Sequence, residues 1–219
     1  MKYLDYPNVT ALCTRINGLS IGDVSLRINI IPFSCKRVGD DKKESKKIEN
    51  DMMRENDLYF ANSPKGCCVD QSISKIYANL VQTLNATFPD YDFSNVQPDS
   101  FVYQNNIGLV MNTVNRFMSQ IYELQSEHIL EDIWESIDKI VVLKECTIYS
   151  YVPDVSTDPM GDNNIWSFNY FFYNNKLKKL VYFTCSCRSQ FSRTESTVFQ
   201  NTGFPDDEDE MDDEDYIEW

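Results

Sequence analysis

The side chains best suited to metal or nucleophilic chemistry in this 219-residue chain are its seven cysteines and its single histidine, His128. Zinc sites usually need four Cys or His ligands at regular spacings, and no C-x-x-C pair occurs here. TCSCRS and GCC could be combined into a site, but reduced thiols packed in a core fit the spacing better. We therefore predict no metal and no cofactor; the cysteines are at positions 13, 35, 67, 68, 146, 185 and 187.

Catalytic arrangements have little support. His128 lies in an amphipathic helical pattern without a serine or cysteine partner, and the seven glycines form no phosphate-binding loop. Carboxylates recur in DYPN, GDDK, PDYD and PDVSTDP, where they could bind a cation or act as acid and base. Aspartate beside proline or glycine is also typical of turns. The sequence indicates a protein that is not an enzyme.

Acidic residues are concentrated at the C-terminal end. Residues 206–219 contain ten acidic side chains and no basic one, so the net charge of −14 falls to about −4 without them. This composition predicts a disordered acidic tail. Such a tail could bind a basic protein surface through its charge, with Tyr216, Ile217 and Trp219 as apolar anchors, or could only keep the chain soluble.

Apolar spacing predicts the elements that position these groups. Steps of three and four predict helices in PNVTALCTRING and over 73–88, 107–121 and 129–137, and alternation predicts strands in VSLRINI and CTIYSYV. Residues 40–66 are charged and lose this pattern, which predicts a flexible linker or large loop. The N-terminus resembles no signal peptide, and no apolar run reaches the ~20 residues that span a bilayer, so we expect a soluble, intracellular protein without a membrane partner.

The segment IWSFNYFFYNNKLKKLVYF, residues 165–183, reads as a hairpin that turns at NNK. Both of its faces are apolar, so helices should cover each face. We predict an α/β (α+β) sandwich, a single domain with a central antiparallel sheet flanked by amphipathic helices. Its predicted core includes Trp134, Trp166, Phe168, Tyr170 and Phe172. In the alternative, these rings and the hairpin lysines form a nucleic-acid-binding module on which bases stack.

Three segments carry a resemblance to a known family. ECTIYSYVPDVSTDPMGDNNIWSFNYFFYNNKLKKLVYFTC (145–185), with IWESIDK (133–139) before it, resembles the C-terminal signature of the eukaryotic Maf-one family. FPDYDFS (88–94) is similar to its middle box, and FSCKRVGDDK (33–42) to its N-terminal box. The boxes occur in the family's order and cover most of the chain.

This resemblance implies a negative regulator of RNA polymerase III transcription. Family members bind the clamp region of the polymerase's largest subunit and the Brf component of TFIIIB, and so block recruitment to transfer RNA and other small-RNA promoters under stress or nutrient limitation. TOR-linked and other kinases, opposed by phosphatases, control the repressor and its shuttling between nucleus and cytoplasm. No direct contact with nucleic acid is implied.

The resemblance also assigns regions and residues. It divides the chain into an N-terminal box (1–42), a short mobile insert (43–72), the main helical and sheet part (73–187), and a linker with the acidic tail (188–219). The insert offers Ser45 and Ser63 as phosphorylation candidates, although an unmodified linker fits nearly as well. Basic residues around it also match a nuclear import signal or a solvated loop. We predict partner contacts at the polar residues Lys36, Asp40, Asp41, Lys42, Asp154 and Asp158.

Two positions depart from the family pattern. Ser156 stands in PDVSTDP where an acid is usual, and Thr147 replaces an acid after Glu145 and Cys146. If this loop contacts a basic polymerase surface, Asp154 and Asp158 must carry more of the contact. We further expect the N-terminal box and this loop to meet at one end of the sheet.

Overall fold

A computed structural model describes residues 1–17, 20–36, 39–60, 71–122, 128–153 and 164–189. Within these ranges the strands are β1 (Lys2–Tyr3), β2 (Ser20–Ile21), β3 (Val24–Ser34), β4 (Phe101–Gln104), β5 (Thr147–Tyr151), β6 (Asn164–Asn174) and β7 (Lys179–Ser189). The helices are α1 (Pro7–Asn17), α2 (Asp40–Phe60), α3 (Gln71–Thr87), α4 (Ile107–Tyr122) and α5 (Ile129–Val141). None of these helices is both long enough and apolar enough to cross a membrane.

The strands form one antiparallel sheet in the order β1-β3-β7-β6-β5-β4, with β2 paired to β3. The predicted hairpin is the β6–β7 pair, and it occupies the middle of the sheet. β3 lies beside β7 along its whole length, from Val24 opposite Ser189 to Ser34 opposite Lys179. The predicted central antiparallel sheet is confirmed, and its middle strands come from both halves of the chain.

Alternating residues of the central strands face two separate cores. Even-numbered positions of β3 and β6, such as Ile28 and Phe172, pack with α1, α4 and α5 together with Phe183 of β7. The odd-numbered positions of β3 and β6, such as Phe33 and Phe171, pack with α2 and α3. Both core faces exclude water, which is why this hairpin is apolar on both sides. Helices therefore cover both faces of the sheet, and the predicted sandwich is confirmed.

Most of the predicted core is buried. Phe172 is fully buried, and Trp134 and Tyr170 expose 6% and 9% of their surface. Trp166 and Phe168, nearer the beginning of β6, are only partly buried and pack against the ring of Phe117 on α4. Because helices cover these rings, the alternative of a base-stacking platform on the hairpin is wrong.

Helix α2 corrects the prediction for residues 40–66. The structure has a 21-residue helix over Asp40–Phe60 where the sequence favoured a linker or loop. Among its described side chains the buried ones are Ser45, Ile48 and Met52, which are spaced by three and four residues and lie on one side. These positions gave too weak an apolar pattern to be recognised among so many charges.

Asn174 joins the hairpin turn to α5. Its side chain is fully buried; its Nδ2 donates to the Val141 carbonyl at 2.8 Å, and its Oδ1 accepts from the Leu177 amide at 3.0 Å. We expect Asn174→Ala to lower the free energy of unfolding by about 1–3 kcal/mol, because both partners lose their bond. Urea denaturation measures this loss. Asn175→Ala at the exposed neighbouring position is the control and should cost less, since water replaces its bonds.

Candidate interaction surface

The outward side of α2 carries a dense group of positive charges. We call Lys42, Lys43, Lys46, Lys47 and Arg54 the basic face, and all five side chains are exposed. Lys42 and Lys46, like Lys43 and Lys47, are four residues apart and so stand one above the other on the helix. A surface of this kind suits anionic groups, and it begins at Lys42, the last residue of the predicted N-terminal box.

The opposite side of α2 is fixed to α3 by hydrogen bonds. The Ser45 hydroxyl is fully buried and donates to Oε1 of Gln82 at 2.9 Å. The Gln82 amide Nε2 donates in turn to Oε2 of Glu44 at 3.2 Å. Gln82 exposes only 3% of its surface, so this polar contact is shielded from water. These bonds set the rotation of α2 and thereby keep the basic face outward.

The segment 88–96, which contains the predicted middle box, lies beside α2. Phe93 is 1% exposed and its ring stacks on Tyr91, which is 45% exposed, at a centroid distance of 6.1 Å. The Phe93 amide donates to Oδ1 of Asn85 at 2.9 Å. A buried ring and a backbone bond therefore hold the exposed Tyr91 in place, and aromatic side chains held in this way are common in protein interfaces.

A groove of about 420 Å³ separates α2 from this segment. Lys47 and Arg54 line it together with Glu44 and Asp51, and Ser94 and Asn95 supply polar groups from the other side. Ser94 donates hydrogen bonds to Asp92, which lower the pKa of that carboxyl, and the charge of Lys47 adds a smaller effect in the same direction. The groove offers charges of both signs for binding a protein segment.

The structure places the predicted partner-binding residues unequally. Lys36, just after β3, and Lys42, on α2, are exposed. Asp40 and Asp41 are the first two residues of α2. Asp154 and Asp158 lie outside the described residues, as do Ser63 and the acidic tail. Contact with a partner therefore stays a prediction for all six.

The two predicted boxes leave the sheet at different levels. Ser34 at the end of β3 pairs with Lys179, which pairs with Asn174 on β6. Ser150, near the end of β5, pairs with Tyr170, so β5 ends about 15 Å along the strands from the level of Ser34. The residues that follow Pro153 lie outside the described ranges. The expectation that the N-terminal box and the loop after β5 meet at one end of the sheet therefore stays a prediction.

The structure also corrects the setting of Ser45. The sequence suggested a serine in a mobile insert that is open to kinases, whereas the structure buries its hydroxyl between α2 and α3. A kinase needs the serine in an exposed, extended segment, so modification at this site requires α2 to leave α3 first. Ser63 stays a candidate outside the described residues.

Within the described ranges no three His, Cys, Asp or Glu side chains converge on a point where a metal could bind. Burial raises the pKa of the Cys146 thiol to about 12, with Asp138 and Glu145 adding to the shift. Burial likewise raises the pKa of Cys13, Cys185 and Cys187. These thiols are poor nucleophiles near neutral pH, as expected of packed core residues.

These raised values predict a stability that depends on pH. In the unfolded chain the thiols lose their protons near pH 9, whereas in the folded chain they keep them to higher pH. The unfolded state thus binds fewer protons above pH 9, and the free energy of unfolding should fall as pH rises from about 9 toward 12. Urea denaturation at pH 8 and pH 10.5 measures this. Equal stability at both values would contradict the burial of these thiols, and Cys146→Ala is expected to reduce the difference.

Sequence reasoning missed the basic face and the short strand β4. Lysine pairs at a spacing of four, opposite Ser45, Ile48 and Met52, were the available signal for the basic face. The strand β4 has four residues, too few for a clear alternation, and it leaves Val102 and Tyr103 exposed at the edge of the sheet.

The sequence and the fold of this chain are both similar to those of known proteins. Residues 26–184 match the family model described as "Maf1 regulator". The "Repressor of RNA polymerase III transcription maf1" of Schizosaccharomyces pombe is 32% identical, over 99% of this chain and 98% of its own length. The "Repressor of RNA polymerase III transcription" of Dictyostelium discoideum is 27% identical over 84% of each chain. The crystal structure of citrus MAF1 superimposes with a TM-score of 0.69 at 31% identity, covering 84% of this chain and 99% of that one.

Proposed function

This chain belongs to the Maf1 family, and we propose that it represses transcription by RNA polymerase III. The observation that carries the proposal is the similarity to the Schizosaccharomyces pombe repressor, which runs over 99% of this chain at 32% identity. Similarity of this extent includes the sheet and the helices on both of its faces. A relative that matches from end to end supports a shared activity better than one that shares a single segment.

Repression in this proposal operates by binding. The described part of the chain presents charged outer surfaces, and these suit contact with other proteins. We propose that the partners are the clamp region of the polymerase's largest subunit and the Brf component of TFIIIB. Lys36 and Lys42 are exposed and suit acidic patches on either partner. Asp40, Asp41, Asp154 and Asp158 are the corresponding candidates for basic patches.

Regulation is the second part of the proposal. Kinases and phosphatases that respond to nutrients act on the segment between β3 and α3, with the unphosphorylated chain repressing in the nucleus and the modified chain retained in the cytoplasm. Ser63, followed by proline and lysine, has the sequence of a proline-directed site. A phosphate adds about −1.5 to −2 charges and would oppose the lysines of α2.

Promoter-dependent transcription in vitro tests the function. Purified unphosphorylated protein is titrated into a reaction with RNA polymerase III from the same source, and transfer RNA synthesis is measured beside an RNA polymerase II reaction. We expect dose-dependent loss of transfer RNA synthesis and no effect on the second polymerase. Normal synthesis in the presence of folded protein would overturn the proposal.

A matched pair of variants tests the surface. Lys36→Glu reverses a charge in the predicted contact region, and Arg116→Glu reverses an exposed charge on α4. We expect Lys36→Glu to need more protein for half-inhibition, and Arg116→Glu to behave as the unchanged protein. Equal inhibition by both variants would remove Lys36 from the contact.

A further inference from the structure

The basic face of α2 is continuous. At about 100° per residue, positions 42, 46, 43, 54 and 47 follow one another around the helix, with the uncharged Asn50 among them. This sector lies opposite the buried Ser45, Ile48 and Met52. Three described acidic side chains of the helix, at positions 44, 49 and 51, lie at the borders of this sector. The outer side of α2 therefore presents a strip of positive charge rather than a mixed surface.

The positive charges of this strip destabilise the helix α2 that carries them. Lys42 repels Lys46 and Lys43 repels Lys47, because like charges at a spacing of four destabilise a helix. In the described part of α2, only Ser45, Ile48 and Met52 are buried against the rest of the molecule. A negatively charged ligand laid along the strip would remove the repulsion, and would stabilise α2 in its place on α3.

A second group of cations in the described structure, Lys176, Lys178 and Lys179, lies at the hairpin turn. All three already bond to neighbouring side chains at 2.6–3.2 Å, namely those of Glu145, Asn175 and Tyr6. The basic face brings five cations onto one helix, so a polyanion should prefer it to these sites.

The chain itself supplies a polyanion of matching length. Residues 206–219 hold ten acidic side chains and no basic one. Fourteen residues in extended form measure about 45 Å, more than the ~20 Å from position 42 to position 54 of a helix. The charges of this segment can thus meet every cation of the basic face.

The connecting segment is long enough to bring the two together. β7 ends at Ser189, and the seventeen residue steps to position 206 span at most about 60 Å. Lys47 lies near Asp92, whose neighbour Phe93 packs on Tyr151. The register of β5, β6 and β7 places Tyr151 about 15–20 Å along the strands from Ser189, well within the reach of this connection. An acidic segment joined by such a tether acts at an effective concentration in the millimolar range.

We propose that residues 206–219 bind back onto the basic face of α2 and cover it against other acidic partners. The contact is intramolecular, depends on salt, and holds α2 on α3. An external polyanion, or an acidic surface of another protein, must displace the acidic segment before it can use the basic face. This proposal does not rest on the role in transcription, and a failure of either leaves the other intact.

Cross-linking of the full chain with a zero-length carbodiimide tests the contact, since this reagent joins only amines and carboxylates that touch. We expect peptides that join Lys43, Lys46 or Lys47 to acids of 206–219, at low protein concentration and low salt, and their loss at high salt. Mixing ¹⁵N-labelled with unlabelled protein separates links within one molecule from links between two molecules. Links confined to one isotope class support the proposal, and links that join the two classes as often as they join like with like overturn it.

Two charge-matched variants make the test specific. K43Q/K46Q/K47Q removes three cations of the basic face, and K2Q/K75Q/K144Q removes three exposed cations elsewhere. Hydrogen exchange of residues 42–54 is then compared with and without neutralisation of the tail by D206N, D207N, E208Q, D209N and E210Q. We expect the tail substitutions to speed hydrogen exchange of α2 several-fold when all lysines are present and when they are combined with K2Q/K75Q/K144Q. Combined with K43Q/K46Q/K47Q, they should have no such effect.

Two outcomes overturn the proposal. One is that the tail substitutions, made in the chain with all its lysines, leave the hydrogen exchange of α2 unaltered. The other is equal response in both triple variants, which would mean that the tail acts through general charge. Titration with a single-stranded oligonucleotide adds a competitor: it should bind the tail-neutralised chain more tightly than the unchanged chain. Equal binding to both would show that the acidic segment does not cover this surface.

Discussion

Phe172→Ala is expected to lower the free energy of unfolding by about 3–5 kcal/mol. Phe172 is fully buried, and its ring contacts Trp134 and Phe183 at centroid distances of 6.3 Å and 6.5 Å. Truncation removes its buried apolar surface and leaves a cavity between the sheet and α5, which neighbouring rings fill only in part. A chain of this size keeps a stability of about 5–15 kcal/mol, so this loss is a large share. Thermal and urea denaturation measure it.

Trp166→Ala is the matched comparison on the same strand. The sequence alone suggests an equal cost for this larger ring, but the structure leaves Trp166 partly exposed beside Phe117. A ring that already contacts water loses less on truncation, and we expect about 1–3 kcal/mol. A Trp166→Ala variant as unstable as Phe172→Ala would mean that β6 is covered further toward its beginning than the structure shows.

Ser45→Glu is expected to detach α2 from α3 without unfolding the sheet. The substitution places a carboxylate in a buried contact beside Gln82, whose amide already bonds to the carboxylate of Glu44. Burying an unpaired charge costs several kcal/mol. This cost exceeds the stabilisation that the few buried side chains of α2 contribute to its contact with α3. Hydrogen exchange should show residues 42–54 losing protection while β6 and β7 keep theirs.

The control is Ser45→Ala, which removes one hydrogen bond without adding charge. It should cost about 1–3 kcal/mol, with α2 still protected. If Ser45→Glu leaves the protection of α2 unchanged, the buried contact between Ser45 and Gln82 is absent in solution. If β6 and β7 lose protection together with α2, the helix is a required part of the fold rather than a detachable one.

Local periodicity explains which elements the sequence could predict. The helices α1, α3, α4 and α5 and the strands of the hairpin each repeat an apolar pattern over several turns or several alternations. Helix α2 does not, because one of the three buried positions among its described side chains is the polar Ser45. Its helical state depends on the pairing with α3, a contact between segments that no local pattern contains. The two-residue strands β1 and β2 are too short to alternate.

The candidate surface was predictable only in part. Composition identified the lysines near position 42 and the acidic segment at the C-terminal end, since both are runs of charge. Their arrangement was not visible, because it depends on the helical state of α2 and on the direction of each strand. The predicted meeting of two boxes depends on the same information, because strand order and register set the levels at which Ser34 and Tyr151 leave the sheet.

The pairing of β3 with β7 has a consequence for how the chain is made. Asn29 bonds to Thr184, 155 residues later in the sequence. At a synthesis rate of about 5–20 residues per second, β3 waits about 8–30 s for its partner to leave the ribosome. During that time only the two-residue strands β1 and β2 are available to it, and most of its apolar edge stays unpaired. We expect chaperones that hold exposed strands to bind the nascent chain in this interval, and the final folding step to be slow because its contacts are distant in sequence.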